Sequence, residues 1–198
     1  RIDTTQQQDA QEFNKLLLTF LEGKLGNTLV QDQFRGQYCY RTTCQVCKKD
    51  SASSSTRYPF YELELNVQPT LAQSLREYIK QEELQGVECA SCGGERHDAK
   101  RQMALVELPP VLTLQLLRFV YDLQSGTKKK VSTAVKFPAT IDMADYVSAA
   151  GGGGGSSGGG GGGTMQYQLT AVLMHTGSSA NSGHYTARLL EQSSAAEG

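Results

Sequence analysis

Two short cysteine pairs, Cys44-x2-Cys47 and Cys89-x2-Cys92, constrain the fold of this chain more than any other feature. They hold four of its five cysteines. Each pair fits a tight turn that directs two sulfurs to one side, and four thiolates at about 2.3 Å are the ligand set of a structural zinc ion. We therefore predict one zinc per chain with all four cysteines as ligands. The alternative, two redox-active pairs, is less favoured because neither pair opens a helix after a strand.

The balance of charge and hydrophobicity excludes several classes of protein. The formal net charge is −1 and no face combines basic with aromatic residues, so we expect no nucleic-acid partner and reject a nucleic-acid-binding zinc ribbon. No apolar segment approaches the ~20 residues that span a bilayer, and no signal peptide opens the chain, so we expect no membrane partner. Cysteine pairs with an odd fifth cysteine are typical of the nucleus or the cytoplasm. We expect a monomer that is a piece of a longer protein.

Hydrophobic periodicity predicts two amphipathic helices. The first covers residues 9–25, and Thr4 or Thr5 can cap its start. Its apolar face is formed by Phe13, Leu16, Leu17, Phe20, Leu21 and Leu25. The second helix begins at Leu71 and extends to Leu84 on the same kind of spacing.

Most of the remaining chain predicts strands. The segments with strand-like patterns are 34–43, 58–67, 101–107, 111–121, 131–141, 167–174 and 184–190. The segment 111–121 follows a rigid Pro109-Pro110 turn and is apolar enough to be central in a sheet. Gly126 with Lys128 to Lys130 marks a hairpin-like break, in which solvated lysines are favoured over a binding patch. Because 41 residues separate the two cysteine pairs, we expect a ribbon with a strand and a helix inserted.

A glycine tract interrupts the C-terminal part of the chain. Residues 151–163 consist of eleven glycines and two serines. Such a tract buries no apolar surface and behaves as flexible coil with a reach of roughly 20 Å. Since strands are predicted on both sides, we expect it to be a loop inside one domain. Both a natural insertion and an engineered joint fit this composition.

The segment Ser182-Gly183-His184-Tyr185 is the best placed for catalysis. A histidine that opens a late strand can project into a cleft, and the glycine before it leaves room for a substrate backbone. Because imidazole changes charge near neutral pH, His184 could act as general base for a thiol nucleophile. The alternative is a structural or merely exposed histidine, which is the interpretation we give His175. His97 lies near the cysteine pairs and could at most compete for the metal.

Several segments, in a fixed order along nearly the whole chain, carry a resemblance to a known family. The chain resembles the ubiquitin-specific proteases, which are deubiquitinating cysteine proteases. The matching segments are Gln7-Gln8-Asp9-Ala10-Gln11-Glu12-Phe13, Phe34-Arg35-Gly36, Phe60-Tyr61-Glu62-Leu63-Glu64-Leu65, Leu108-Pro109, Leu114-Gln115-Leu116-Leu117-Arg118-Phe119, residues 167–175 and Gly183-His184-Tyr185. Their ordered co-occurrence is highly specific. Within the family, details at residues 119–122 and 126–130 indicate one type in particular.

The resemblance implies a fold and a division of the chain. The expected fold is α+β, a papain-like cysteine protease fold with fingers, palm and part of the thumb, and with a four-cysteine zinc ribbon. Residues 1–198 would form a partial catalytic domain, and residues 36–100 the zinc-bearing fingers that grip ubiquitin. The tract 151–163 would be a flexible loop inside the palm.

The resemblance also implies roles for three residues outside the cysteine pairs. His184 matches the family's general base. Asp9 and Glu12 match positions that meet the arginine-rich tail of ubiquitin, and carboxylates can hold guanidinium groups through paired hydrogen bonds. The alternative is that these two acidic residues only favour the start of a helix.

The chain departs from the family in its other catalytic residues. The family's nucleophile lies in an Asn-x-Gly-x-Thr-Cys-Tyr box, which this sequence lacks, and Cys39 is expected to be a packed thiol in a strand. No Asp or Asn occurs in the 14 residues after His184, where the family has its orienting residue, and the upstream oxyanion donor is missing too. We predict that the full-length protein is a thiol-dependent deubiquitinase that hydrolyses isopeptide bonds at the ubiquitin C-terminus of ubiquitinated proteins. This chain alone is expected to be inactive. The alternative is a catalytically inactive ubiquitin-binding module of the same fold.

Overall fold

The computed structural model describes residues 9–124, 126–147, 164–179 and 182–190. Within these ranges the helices are α1 (Ala10–Leu25), α2 (Asn27–Phe34) and α3 (Leu71–Tyr78). The strands are β1 (Gly36–Cys44), β2 (Tyr58–Phe60), β3 (Leu63–Asn66), β4 (Glu82–Cys89), β5 (Glu95–Glu107), β6 (Leu114–Leu117), β7 (Phe119–Asp122), β8 (Thr127–Lys130), β9 (Thr140–Asp142), β10 (Gln166–Gln168), β11 (Ala171–Ser179) and β12 (Ser182–Leu189). None of the described helices combines the length and the apolar character needed to cross a membrane.

The largest sheet is a four-stranded ribbon with the strand order β2-β1-β5-β4. β1 and β4 both pair antiparallel with β5, so they run in the same direction. β1 ends at Cys44 and β4 ends at Cys89. Both cysteine turns therefore leave the sheet at the same end, and β2, β3 and α3 are inserted between them, as the 41-residue gap predicts.

The hydrophobic core joins α3 to β3 and to the base of the ribbon. Its fully buried side chains include those of Leu63, Leu65, Leu75, Leu105 and Met143. Burying one such side chain contributes about 1.5–3 kcal/mol. α3 begins with a capping box, in which the Thr70 hydroxyl accepts from the Gln73 N–H and the Gln73 side chain accepts from the Thr70 N–H. Packing and capping together explain why eight residues suffice for this helix.

The first predicted helix is confirmed, but its cap and its packing were predicted wrongly. Asp9, not Thr4 or Thr5, is the N-cap, because its carboxylate accepts from the backbone N–H of Gln11 at 2.8 Å and of Glu12 at 3.2 Å. Most of the predicted apolar face stays exposed among the described residues, at 48% for Phe13, 50% for Leu16, 39% for Leu17, 60% for Phe20 and 58% for Leu25. Leu18, which lies off that face, is the buried residue of α1.

Other predicted elements are shorter or broken where tertiary contacts intervene. The second helix ends at Tyr78, and Leu84 belongs to β4, where it lies opposite Ala99. The segment 58–67 forms two strands, and the segment 111–121 forms β6 and most of β7. β6 is not central, because β3 is its one strand partner among the described residues. α2 was missed, although Gly26 at φ 84° marks the break between α1 and α2.

Three antiparallel pairs complete the described fold. β7 pairs with β8 and β11 pairs with β12, each as a hairpin, while β9 pairs with β10. The Met143 N–H donates to the Met165 carbonyl at 2.9 Å, so the chain on either side of the glycine tract returns to one place. The tract 151–163 itself lies outside the described residues, and the division into fingers at 36–100 and a palm stays a prediction.

Candidate functional site

The two cysteine turns meet at one end of the four-stranded ribbon. The Sγ atoms of Cys44, Cys47, Cys89 and Cys92 all lie within 4.8 Å of one another, and those of Cys47 and Cys89 are 3.6 Å apart. A tetrahedral zinc ion with bonds of about 2.3 Å separates its sulfurs by about 3.8 Å. The predicted convergence of the four thiols is therefore confirmed. We call this end of the molecule, residues 44–50 and 86–98, the finger tip.

Each turn reverses the chain sharply enough to direct its sulfurs inward. After β1, the Lys48 N–H donates to the Cys44 carbonyl at 3.0 Å, and Lys48 has a φ of 58°. After β4, the Gly94 N–H donates to the Cys89 carbonyl at 3.0 Å. Gly93 and Gly94 have φ values of 75° and 90°, which favour glycine over residues with a Cβ. The turn residues therefore set the positions of the ligands.

The four thiols can ionise together only with a compensating cation between them. Backbone N–H groups of Cys47 and Val46 lower the pKa of Cys44 to about 6. Burial, followed by hydrogen bonds with the neighbouring thiols, raises the pKa of Cys92 to about 12. Four thiolates at neutral pH thus need a positive charge between them, and an all-sulfur tetrahedral set suits zinc. The residues present fit a structural zinc ion.

The fifth cysteine and the nearby histidine do not join the cluster. Cys39 is 3% exposed and lies in β1 opposite Ala104. His97 lies in β5, and its Nε2 is 3.4 Å from a carboxylate oxygen of Glu95. Within the described part of the chain, the group able to hold a metal consists of the four cysteines alone. His97 therefore does not compete for the ion in this geometry.

The predicted general base lies on the hairpin of β11 and β12. His184 is exposed and lies opposite Thr176, while His175 lies opposite Tyr185. Because successive residues of a strand point to opposite faces, the His184 side chain leaves the hairpin on the face away from His175. Solvent and a substrate can therefore reach its imidazole. The structure brings none of the four clustered cysteines to this hairpin.

Asp9 connects the start of α1 to the neighbour of His184. The Tyr185 hydroxyl donates to an Asp9 carboxylate oxygen at 3.4 Å, while the other oxygen caps the helix. Burial, then the Asp9 charge, raises the pKa of Tyr185, so this phenol stays a donor at neutral pH. The structure thus joins one predicted binding residue to the hairpin that carries the predicted base, on the face opposite to the His184 side chain. Glu12 is exposed on the first turn of α1, where it adds negative charge to the same region.

More acidic residues line α1 than the sequence interpretation included. The Gln11 side-chain amide donates to Glu62 and to Glu64, at 2.5 and 2.8 Å. The Lys15 ammonium lies 2.9 Å from Glu62 and 3.0 Å from Glu64, and these carboxylates raise the pKa of Lys15. These contacts attach α1 to β3 and to the residue that precedes it. Polar residues in alternation with Leu63 and Leu65 were the signal available in the sequence.

Lys130 was predicted to be solvated with its two neighbours, and this was wrong. Lys128 and Lys129 are exposed, but Lys130 is half-buried and its ammonium meets β11. His175 packs between two rings, with centroids 5.3 Å from Phe119 and 4.9 Å from Tyr185. The structural interpretation of His175 agrees with this packing.

The family comparison covers nearly the whole chain. The family model described as "Ubiquitin carboxyl-terminal hydrolase" matches residues 1–196. Ubiquitin carboxyl-terminal hydrolase 48 of Danio rerio is 41% identical over 200 residues, which are 95% of this chain and 18% of that protein. Ubiquitin carboxyl-terminal hydrolase 26 of Oryza sativa is 40% identical over 204 residues, 97% of this chain and 18% of that protein. The type that residues 119–122 and 126–130 indicated was the hydrolase 48 type, and the resemblance to it is confirmed.

Solved structures extend the comparison to the fold. A chain of the SAGA Ubp8/Sgf11/Sus1/Sgf73 DUB module bound to ubiquitin aldehyde has a TM-score of 0.80 and 26% identity, covering 95% of this chain and 43% of that chain. A second structure of a SAGA DUB module, bound to monoubiquitin, gives a TM-score of 0.77 and 28% identity, covering 92% of this chain and 40% of that chain.

These matches confirm the predicted α+β, papain-like fold with a four-cysteine ribbon. The chain spans 18% of the length of the two curated relatives described above. By sequence and by fold, it belongs to the ubiquitin carboxyl-terminal hydrolase family.

Proposed function

We propose that this chain forms part of the catalytic domain of a thiol-dependent deubiquitinase, which hydrolyses isopeptide bonds at the C-terminus of ubiquitin. The observation that carries the proposal is the exposed imidazole of His184 on a strand whose next residue, Tyr185, donates to Asp9 at the start of α1. The start of α1, with its two carboxylates, is thereby joined to the hairpin that carries the general base. Family membership supports the same activity. Ubiquitin and ubiquitinated proteins are the proposed partners.

In the proposed reaction, His184 takes the proton from a cysteine thiol, and the thiolate attacks the carbonyl carbon of the isopeptide bond. His184 then gives a proton to the leaving lysine amine, and water hydrolyses the acyl-enzyme. None of the five cysteines here suits the role of nucleophile, since four meet at the finger tip and Cys39 is buried in β1. The nucleophile is therefore assigned to another part of the full-length protein.

Asp9 and Glu12 are proposed to meet the arginine-rich tail of ubiquitin. Both carboxylates lie at the first turn of α1, and Asp9 is within reach of Tyr185 beside the base. Guanidinium groups form strong charge-assisted hydrogen bonds with carboxylates. This placement would hold the tail next to the β11–β12 hairpin that carries His184.

The four cysteines are proposed to hold one structural zinc ion, which orders the finger tip. This ion lies in the ribbon rather than at the β11–β12 hairpin, so we assign it no part in proton transfer. Five free thiols, four of them gathered for a metal, suit the reducing nucleus or cytoplasm.

The test of the function uses the full-length protein and a ubiquitin C-terminal amide that releases a fluorophore. We expect His184→Ala to lower kcat by at least about 10³-fold, because the base of a catalytic triad is removed. Arg188→Ala is the matched control, since Arg188 is exposed on the same face of β12, four residues further on. The control is expected to retain wild-type kcat. Unchanged turnover in the His184 variant would remove this histidine from the mechanism.

The same preparation separates the enzyme from a ubiquitin-binding module. A wild-type protein that binds ubiquitin but releases no fluorophore would contradict the proposed hydrolysis and favour the inactive module. Detection of an acyl-enzyme or of a covalent adduct with a ubiquitin C-terminal electrophile would favour the enzyme and locate its nucleophile.

A further inference from the structure

The hairpin that carries His184 is poorly stabilised by its own strands. A two-stranded hairpin is marginally stable in water. The pairing of β11 with β12 shifts register between Thr176 and Ser179, next to the Thr176–His184 pair. Gly177 and Gly183 have φ values of 144° and 154°, and they face each other across this irregular end. Something beyond the strand pairing must therefore hold His184 in place.

Lys130 meets the edge of β11 that faces away from β12. Its ammonium lies 3.1 Å from Nδ1 of His175, and it donates to the His175 carbonyl at 3.2 Å and to the Gly177 carbonyl at 2.5 Å. An ammonium group has three donors and no acceptor, so three acceptors satisfy it. In a strand, the carbonyls of residues i and i+2 point to the same edge. Lys130 thus takes the place of a neighbouring strand along that edge.

The contact with Nδ1 also fixes the protonation of His175. Lys130 can donate to Nδ1 only if that nitrogen keeps its lone pair, so the proton of the neutral ring is on Nε2. Nε2 is buried and has no hydrogen-bond partner among the described residues. A Cβ on Gly183 would lie 2.4 Å from Nε2, so the ring sits directly against the backbone that precedes His184. Burial, then the Lys130 charge, lowers the pKa of His175, in agreement with a neutral ring.

Lys130 reaches this place from a separate hairpin. It lies in β8 opposite Phe119, whose ring centroid is 5.8 Å from the ammonium and 5.3 Å from the His175 ring. The described hydrogen-bond partners of Lys130 are neutral acceptors, and all of them belong to β11. Lys130, together with the Phe119 ring, therefore connects the β7–β8 hairpin to the β11–β12 hairpin.

We propose that Lys130 is a positioning residue for His184. By holding the carbonyls of His175 and Gly177 and the His175 ring, it fixes the irregular end of the β11–β12 hairpin and with it the direction of the His184 side chain. The role in catalysis rests on the proposed function, whereas the effect on the hairpin does not. Lys130 touches no reacting atom.

The test compares Lys130→Met with Lys129→Met in the full-length protein. Both substitutions remove one lysine charge from β8, but Lys129 is exposed and lies opposite Val120. For Lys130→Met we expect kcat to fall about 10- to 100-fold with KM changed less than about threefold, because misplacing a catalytic group by about 1 Å has effects of this order. Amide hydrogen exchange in residues 176–186 should become at least about tenfold faster in the same variant. Lys129→Met should change neither quantity.

Two results would overturn the proposal: exchange at 176–186 that is the same in both variants, or a fall in kcat without a change in exchange. If Lys130→Met does not fold, Lys130→Arg serves instead, because a planar guanidinium cannot direct three donors from one atom. Lys130→Arg should lower kcat about 3- to 10-fold. It should speed amide exchange in residues 176–186 by a smaller factor than Lys130→Met does, since part of the hydrogen bonding is kept. An arginine variant with wild-type kcat and wild-type exchange would contradict the convergent geometry. If the wild type cleaves no ubiquitin amide, the proposed function fails, and the exchange data alone still decide whether Lys130 holds the hairpin.

Discussion

The finger tip and the β11–β12 hairpin are both sites at the end of antiparallel strands, but they are built differently. At the finger tip, two turns of identical spacing bring four like ligands together, and the strands that carry them pair with the same neighbour, β5. At the hairpin, the N-cap of α1 accepts from Tyr185, while side chains of β7 and β8 contact His175. The first site depends on local spacing and a metal, and the second depends on tertiary contacts. The two sites should therefore fail independently when each is perturbed.

Removal of the metal should give the largest difference between the finger tip and the β11–β12 hairpin. We expect about one zinc per chain in the wild type and less than about a tenth of that in Cys89→Ser, which lacks one of the four ligands. The effect on the fold should be large, because structural zinc contributes on the order of 10 kcal/mol to small folds. Amide exchange should become fast in the finger tip, residues 44–50 and 86–98, and stay slow in β3 and α3, where the core is fully buried. Elemental analysis and hydrogen exchange measure the two effects.

The control for metal removal is Cys39→Ser. Cys39 is 3% exposed and lies outside the cluster, so this variant can lose stability but should keep its zinc. Retention of one zinc by Cys89→Ser, or its loss from Cys39→Ser, would contradict the four-cysteine assignment. Loss of protection in the β11–β12 hairpin on zinc removal would contradict the independence of the two regions.

The next largest difference between the two regions is expected in the loss of stability when a glycine is replaced by alanine. In Gly183→Ala, the new Cβ would meet His175 Nε2 and the Thr176 carbonyl oxygen, both at 2.4 Å, at a φ of 154°. We expect a loss of about 1–3 kcal/mol from overpacking, in addition to backbone strain. Chemical denaturation measures the loss, and exchange in residues 176–186 locates it.

Gly86→Ala provides the matched substitution in the ribbon. Gly86 has a φ of 60°, but its added Cβ would have nothing within 4 Å. Strain alone should then destabilise this variant by about 1 kcal/mol. Equal losses in the two glycine variants would mean that the close contact of His175 with the backbone of Gly183 does not exist in solution.

The same contrast explains how much of the molecule could be predicted from its sequence. The cysteine spacing predicted the finger tip because two identical short motifs specify both the ligands and the turns. The alternation of Leu63 and Leu65 predicted β3, since these residues are buried and their neighbours in the strand are exposed. The position of His184 on a late strand was predicted as well, because a strand pattern surrounds it.

The features that were missed depend on contacts between distant segments. Lys130 looks like its two solvated neighbours in sequence, and only the packing of β8 against β11 makes it half-buried. Leu84 continues the helical spacing of Leu71 and Leu75, but pairing with β5 draws it into a strand. Apolar residues of α1 predicted a buried face, whereas Leu18 is the residue that packs among the described residues. Local pattern predicts elements, but it does not predict which elements meet.

Asp9 caps α1 next to the β11–β12 hairpin, and two variants test whether it also binds ubiquitin. Asp9→Ala removes the acceptor for Gln11 and Glu12 and should destabilise the domain by about 1 kcal/mol. Asp9→Asn keeps a capping oxygen and should stay within about 0.5 kcal/mol of the wild type. Because the asparagine lacks the charge, it should still weaken ubiquitin binding about tenfold, as expected for one lost charge-assisted hydrogen bond. Titration of ubiquitin into full-length protein measures this, and wild-type affinity in Asp9→Asn would assign Asp9 to capping alone.

The smallest effect is expected at the finger tip, from the carboxylate of Asp50. It accepts from the Thr43 hydroxyl at 2.6 Å and lies 3.5 Å from Arg41 Nε, with both charged side chains more than 40% exposed. Asp50→Asn keeps an acceptor for Thr43 and removes the ion pair, so we expect a loss below about 0.5 kcal/mol that vanishes in high salt. Denaturation of the zinc-loaded domain at low and high salt measures it. A salt-independent loss above about 2 kcal/mol, the range of a buried charge pair rather than an exposed one, would show that this loop is coupled to the metal site. The finger tip would then depend on tertiary contacts in the same way as the β11–β12 hairpin.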